Sequence, residues 1–356
     1  MYYIILAILI FGFLIIIHEL GHFIAAKRLG VQVNEFAVGM GPVLLQRKRG
    51  ETAYSLRALP VGGFCAMEGE DEELDNPRAF NSVAWWRRLI ILAAGSLMNL
   101  LAGFLIVLIL LAPSAGFLTA EITGFFDGGG LEAQGLEKGD VLYKIDGERV
   151  YIYQDVSLLL SRGESYFHEL TVLRDGKKVD LGSVNMTPFP YEENGGTTEK
   201  VGLNFGAVEE KTAASLLKNS FYNSVDFARM VRMGLQDLLS GKVGVRDMSG
   251  MVGIVKVVKD SGEEAEAQGG VAAGVSQALY LGAFIAINLG IMNLLPIPAL
   301  DGGRILCLFL TMAAEKILRR RIDPKYEGYL HAAGMVLLLG LMAVVTFSDV
   351  FKLFGK

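Results

Sequence analysis

The stretch from Met1 to Ile17 carries no charge, and the apolar character resumes after His18–His22 and lasts to Ala26. A helix needs about 20 apolar residues to cross a hydrocarbon core, so this run is long enough. It has neither the basic start nor the small-residue cleavage site of a secretory signal. The sequence therefore predicts a retained transmembrane helix over Tyr2–Ala26. Such a helix must satisfy its own backbone and tolerates few ionisable side chains, so those inside it are functional by default.

Three more apolar runs follow. Leu89–Pro113 comes after Trp85, Trp86, Arg87 and Arg88, an aromatic and basic interface anchor. A run from about Ala278 to Leu310 is interrupted by Pro296, Pro298, Asp301, Gly302 and Gly303. The last extends from about Ala332 to Phe347. The expected fold class is a polytopic α-helical membrane protein of about four transmembrane helices, the third broken, with an inserted extracytoplasmic α+β domain. Composition agrees, with 52% apolar and 20% charged residues and a mean hydropathy of +0.41. Lys plus Arg is 33 against 38 acidic residues, a net charge of −5, which argues against a nucleic-acid partner. Cys65 and Cys307 are far apart without CxxC spacing, which excludes a disulfide framework and a thiolate zinc finger.

Short-loop charge sets the orientation. Residues 27–88 hold Lys27, Arg28, Arg47, Lys48, Arg49, Arg57, Arg78, Arg87 and Arg88. The loop before the last span holds Lys316, Arg319, Arg320, Arg321 and Lys325. Both lie on one side of a four-span topology, which the positive-inside rule makes cytoplasmic. Residues 114–277 and both termini are then expected outside. Within that segment, Glu121–Phe126, Val141–Ile145, His168–Arg174 and Lys178–Leu181 read as strands separated by Asp-Gly turns. Thr212 to about Leu239 reads as a helix, with Leu217, Phe221, Val225, Ala228, Val231, Leu235 and Leu238 on one apolar face. Gly241–Gly253 reads as loop, and Ser261–Gln268 is acidic and rich in small residues.

The first span contains His18-Glu19-Leu20-Gly21-His22. Residues at i and i+4 share one helix face, so both imidazoles can reach a single tetrahedral zinc. Glu19 lies beside that face, close enough to polarise a water there. His22 is five residues before Lys27, which at 1.5 Å per residue puts the metal roughly 8 Å inside the cytoplasmic interface. Zinc needs a third protein ligand and an open position. Asp301 is the acid within another apolar span. It follows two prolines, and irregular backbone at membrane depth is tolerated where it lines a cavity; a plain helix cap is the alternative. His331 is expected at the interface and His168 as a structural residue of the outer domain.

These residues resemble a known family. HELGH in the first span, Asn293-Leu-Leu-Pro-Ile-Pro-Ala-Leu-Asp301-Gly-Gly in a later one and a β-rich domain between them look like the site-2 protease family of intramembrane zinc metalloproteases. The bacterial regulatory type that cleaves anti-sigma factors is the nearest match. The resemblance implies Zn2+ as cofactor, His18, His22 and Asp301 as its ligands, and Glu19 as general base. It implies hydrolysis of a peptide bond in or near the transmembrane segment of single-span membrane proteins, such as anti-sigma factors or remnant signal peptides, with the bilayer as a further partner. The location implied is the inner, cytoplasmic membrane. Leu131–Val150 is similar to a PDZ domain, one of which fits in 116–208. Gly95-Ser96-Leu97-Met98-Asn99 looks like the family's GPxxN segment with Ser96 in place of proline. Ser249–Gly253 resembles its SGPxG segment with Met251 in place of proline.

The expected organisation is therefore residues 1–113 with two spans and a membrane-associated β region over about 31–69, a PDZ-like domain over 116–208, an amphipathic helix and linker over 209–277, and two last spans over 278–356. In the β region, Val31–Phe36, Val43–Arg47 and Ala53–Leu59 alternate as strands do, and a free edge would let substrate add as an extended strand. Asn293, Pro296 and Pro298 are expected substrate contacts; Asn293 could donate to the substrate backbone or oxyanion, or simply stop a helix. In the expected hydrolysis, Glu19 takes a proton from water polarised by zinc and returns it to the leaving amine. Two other readings stay open here. A metal transporter would spread polar residues along several spans, whereas these cluster at one depth. A non-catalytic membrane PDZ scaffold would not need Glu19.

Overall fold

The computed structural model describes residues 2–70, 75–162, 165–193, 196–244, 250–319 and 325–354. The chain divides into two units, Met1–Leu110 with Phe227–Lys356, and Leu111–Asp226. Four of the described helices are long and apolar enough to cross a membrane: Tyr2–Arg28, Trp85–Leu111, Val252–Asn293 and Lys325–Phe347.

In the first unit, α1 (Tyr2–Arg28) has no helix breaker but glycine and ends in Lys27 and Arg28. Gly30 then takes φ 82°, and the Val31 N–H closes on the Ala26 carbonyl at 2.9 Å. This is the left-handed glycine stop of a helix. The chain continues into β1 (Val33–Arg49) and β2 (Thr52–Met67), which pair antiparallel with repeated register shifts. Glu35–Val38 faces both Ala53–Leu56 and Gly63–Ala66, so the two long strands fold into a doubled sheet. Two long strands stand where three short ones were expected. Its turn is tied to the end of α1, because Glu51 accepts from Lys27 Nζ at 2.6 Å and from both Arg78 amino groups at 2.7 and 2.8 Å.

α2 (Trp85–Leu111) begins at the tryptophan pair expected to precede it. It packs against α1 through a small residue, since a β-carbon at Gly21 would lie 2.4 Å from the Ala94 carbonyl oxygen. Close backbone approach through glycine is how helices associate where lipid supplies no hydrophobic drive.

The second unit contains β3 (Gly116–Leu118), β4 (Ile122–Phe125), β5 (Val141–Ile145), β6 (Glu148–Arg149), α3 (Tyr153–Leu160), β7 (Phe167–Arg174), β8 (Lys177–Asn185), β9 (Phe189–Glu193), β10 (Gly196–Lys200), β11 (Leu203–Phe205) and β12 (Val208–Glu210). A four-stranded sheet has the order β6-β5-β7-β8, and β11 pairs with β4, β12 with β3 and β10 with β9. Turns at Asp146-Gly147 and Asp175-Gly176 have positive φ at both residues, the geometry that Asp-Gly hairpins favour. His168 is buried and pairs with Asp146 at 2.6 Å, the structural role expected of it. Arg174 binds both oxygens of the buried Asp140 at 2.7 and 2.8 Å. Burial alone would raise the Asp140 carboxyl, but this pair and the Glu137 N–H hold it below its ordinary value.

α4 spans Ala213–Leu239, where an amphipathic helix was expected. Leu217 and Phe221 are exposed, whereas Asn219 and Asn223 are buried. Spacing identifies a stripe but not which side is covered. The two asparagines donate to carbonyls four residues back on their own helix, at 2.9 Å each, so their burial leaves those donors paired.

The loop expected over Gly241–Gly253 gives way to helix at Met251, and the linker expected to run to 277 is corrected to helix from there. α5 runs Met251–Asn293; Ser249 of the SGPxG-like segment lies outside the described residues. Glu263, Glu264 and Glu266 suit a helix, and Lys259 pairs with Glu263 at 2.9 Å across one turn. Its 43 residues would extend about 64 Å if straight, twice a hydrocarbon core. Gly270, at φ 77° and ψ 179°, divides it. Tyr3 of α1, fully buried, sits where β-carbons at Gly262 and Gly274 would be. A non-helical turn then leads into α6 (Asp301–Leu318), and α7 (Lys325–Phe354) completes the unit.

Candidate active site

The HExxH residues lie two-thirds of the way along α1. His18 and His22 rings stand edge to face, centroids 4.8 Å apart. The break after α5 places Asp301 opposite them, in the first turn of α6. Its Oδ2 is 3.4 Å from Nε2 of His18 and 3.4 Å from Nε2 of His22, and the two nitrogens are 3.3 Å apart.

The protonation pattern explains what this triangle is suited to hold. His22 Nδ1 lies 2.8 Å from the carbonyl of Ile91 on α2, so it donates and carries the proton. The Nε2 of the neutral ring then keeps its lone pair, which lies against the Asp301 carboxylate oxygen and beside His18 Nε2. Such an arrangement is repulsive without a shared cation. A tetrahedral zinc with bonds of about 2.0–2.1 Å has ligand–ligand edges of about 3.3–3.4 Å. The donor set and its spacing therefore fit zinc.

α2 supplies no donor atom to this triangle, yet it shapes the site. A β-carbon at Gly95 would lie 2.3 Å from His22 Nε2 and 2.8 Å from His18 Cε1. Ser96, fully buried, donates its hydroxyl towards Asp301 Oδ2 at 3.4 Å. Sequence reading noted Gly95 and Ser96 as motif positions but not the void that glycine leaves for the rings. β2 contributes too. Gly63 lets it pass so close to Glu19 that a β-carbon there would be 3.3 Å from the Glu19 side chain, and the Cys65 backbone lies near the Glu19 carboxylate. Glu70, just past β2, pairs with Arg304 one turn beyond Asp301. No local pattern marked Cys65, Glu70 or Arg304, because their partners lie on other elements.

Asn293 is the final residue of α5, and Pro296 and Pro298 lie in the turn between it and Asp301. His331, expected at the interface, also packs within the protein. Its side chain is 11% exposed, and its Nδ1 accepts the N–H of Ala299 at 3.0 Å. Nearby charges in sequence mark a helix end but not what the helix packs against.

Paired imidazoles on a helix apolar enough to span a bilayer, met by a carboxylate at the start of α6, characterise a membrane-embedded metal hydrolase. The family model of peptidase family M50 matches residues 6–341, and the chain belongs to that family. It is 36% identical over 348 residues to a protein of Clostridium perfringens provisionally named a zinc metalloprotease, covering 98% of each chain. It is 34% identical to a similarly named protein of Fusobacterium nucleatum, covering 98% of this chain and 99% of the relative. It is 28% identical to the regulator of sigma-W protease RasP of Bacillus subtilis, covering 98% of each. The chain is thus a multi-pass intramembrane zinc metalloprotease of the site-2 protease type with a Zn2+ cofactor, rather than a transporter or a scaffold.

Proposed function

We propose that His18, His22 and Asp301 hold the zinc and that Glu19 is the general base for hydrolysis of a peptide bond in the membrane segment of single-span proteins. The observation that carries this is the triangle of donor atoms with edges of 3.3, 3.4 and 3.4 Å. When bound, zinc supplies Lewis acidity to water and to the scissile carbonyl. His22 is held in one tautomer by Ile91, and Asp301 is steadied by Ser96. Glu19, beside the imidazole pair on α1, takes a proton from the attacking water and delivers it to the leaving amine.

The doubled sheet supports a route for substrate. A membrane helix hides its amides in its own hydrogen bonds, and adding as a strand beside β2 would expose the scissile bond near Glu19. Asn293 would donate to the substrate backbone or the developing oxyanion, with Pro296 and Pro298 shaping the same wall. The name of the Bacillus subtilis relative supports anti-sigma factors as the substrate class. Residues 116–208 are a PDZ-like domain on the extracytoplasmic side, and the site lies towards the cytoplasmic face of the inner membrane. The basic residues of 27–88 support that orientation.

The test uses purified protein and a single-span substrate. Glu19→Gln should keep about one zinc per chain and lose cleavage. His18→Ala, His22→Ala and Asp301→Ala should each lose the metal. Full zinc by elemental analysis in Asp301→Ala would remove Asp301 from the site, and cleavage by Glu19→Gln at the wild-type rate would remove Glu19.

A further inference from the structure

Ala299 has φ 78°, in the left-handed region that non-glycine residues rarely adopt. It lies two residues before Asp301, in a turn with two prolines that lack an N–H. The turn makes few bonds of its own: Ile297 N–H to Leu295 at 2.7 Å and Leu300 N–H to Ile297 at 3.1 Å. The Ala299 N–H goes to His331 Nδ1 on α7. Three residues further along α7, a β-carbon at Gly334 would lie 2.5 Å from Pro298. On α6, β-carbons at Gly302 and Gly303 would lie 2.2 Å from the carbonyl oxygens of Leu294 and Ile297. The turn is thus clamped between the first turn of α6 and one face of α7.

We propose that His331 is a positioning residue for the zinc centre: its Nδ1 holds Ala299 in the left-handed conformation that aims the Asp301 carboxylate at His18 and His22. The proposal rests on Asp301 being a zinc ligand. His331 itself touches no reacting atom. A backbone amide can only donate, so His331 Nδ1 is an acceptor and the neutral ring carries its proton on Nε2. Cys307, Glu327 and His331 also bring ligand-type atoms within 4.8 Å of one another. An imidazole protonated on Nε2 has no lone pair there for a second metal. Its N–H instead faces Glu327 Oε1, 3.9 Å away. Within the cluster it is His331 that supports the Asp301 turn.

The experiment measures metal affinity of the full-length protein in detergent by chelator competition, together with the visible spectrum of the Co2+-substituted form. His331→Ala should weaken metal binding by about 10–100-fold, the usual effect of losing a group that orients a ligand, and shift the cobalt bands. His331→Asn places Oδ1 where Nδ1 was and should restore affinity to within a few-fold of wild type. Adding Ala299→Gly to His331→Ala should recover part of the loss, because glycine takes positive φ without a steric penalty. Wild-type affinity in His331→Ala, with metal lost from Asp301→Ala, would overturn the positioning role alone. Equal impairment of His331→Ala and His331→Asn would also overturn it, since the Nδ1 acceptor would then not be what matters. Metal retained by Asp301→Ala would overturn the ligand assignment, and the positioning role with it.

Discussion

Gly95 on α2 faces His22 on α1 so closely that a β-carbon would lie 2.3 Å from Nε2. The nitrogen of the ring proposed to bind the metal therefore occupies space that only glycine leaves open. Gly95→Ala should lower zinc affinity by at least about tenfold while the helices persist, because a displaced ligand costs more than a methyl group in lipid. Gly12→Ala, where nothing lies within 4 Å, is the control and should leave affinity unchanged. Zinc content after dialysis against a chelator reads the difference; equal zinc in both variants would show that the rings can move aside.

Glu51 ties the sheet to the end of α1, and hydrogen bonds from Arg78 and Lys27 lower its carboxyl from 4.5 to about 2. A carboxylate with a depressed native pKa contributes stability that is fully present above its unfolded value, and this is lost as the pH falls through the native one. The contribution should therefore fade between about pH 4.5 and 2. A carbon-13 titration of Glu51 should find its midpoint near the lower value, and Arg78→Gln should move it upward. An ordinary midpoint in wild type would mean that the pairs do not persist.

Asp349 near the end of α7 accepts the N–H groups of Gly250 and Gly253 at 2.8 and 2.9 Å. It caps α5 from a residue about a hundred positions away. Asp349→Ala should cost about 1 kcal/mol, as lost caps do. Faster hydrogen exchange should appear at Gly253 and Ile254; unchanged exchange there would show that water replaces the cap fully.

The orientation predicts that a cysteine introduced near Gly50 reacts only with reagents applied from the cytoplasm. One near Asn194, which lies outside the described residues, should react only from outside. The reverse labelling would move the zinc site to the other leaflet.

If residues 116–208 lie outside as proposed, they should act as a size gate rather than as part of the catalyst. Deleting about 116–208 should leave cleavage of an already shortened single-span substrate nearly unchanged and increase cleavage of one with a large ectodomain. If both activities vanish in protein that still binds zinc, the domain belongs to the working site.

The amino-acid sequence by itself determined the apolar spans, the turn-punctuated strands, the HExxH pair and the singular acid at Asp301. Each is a local signal: a run length, a period, or two residues one turn apart on a helix. The tertiary structure decided how they work together. Ile91 fixes the tautomer of His22 across 69 positions, and Ser96 reaches Asp301 across 205. Cys65 comes to Glu19 because β2 folds back along α1, and His331 comes to Ala299 because α7 packs on the broken turn. The sequence also could not show that the residues before Gly270 are helical, or which face of α4 is covered. Both depend on what an element meets in space, and periodicity along one chain segment holds no record of its neighbour.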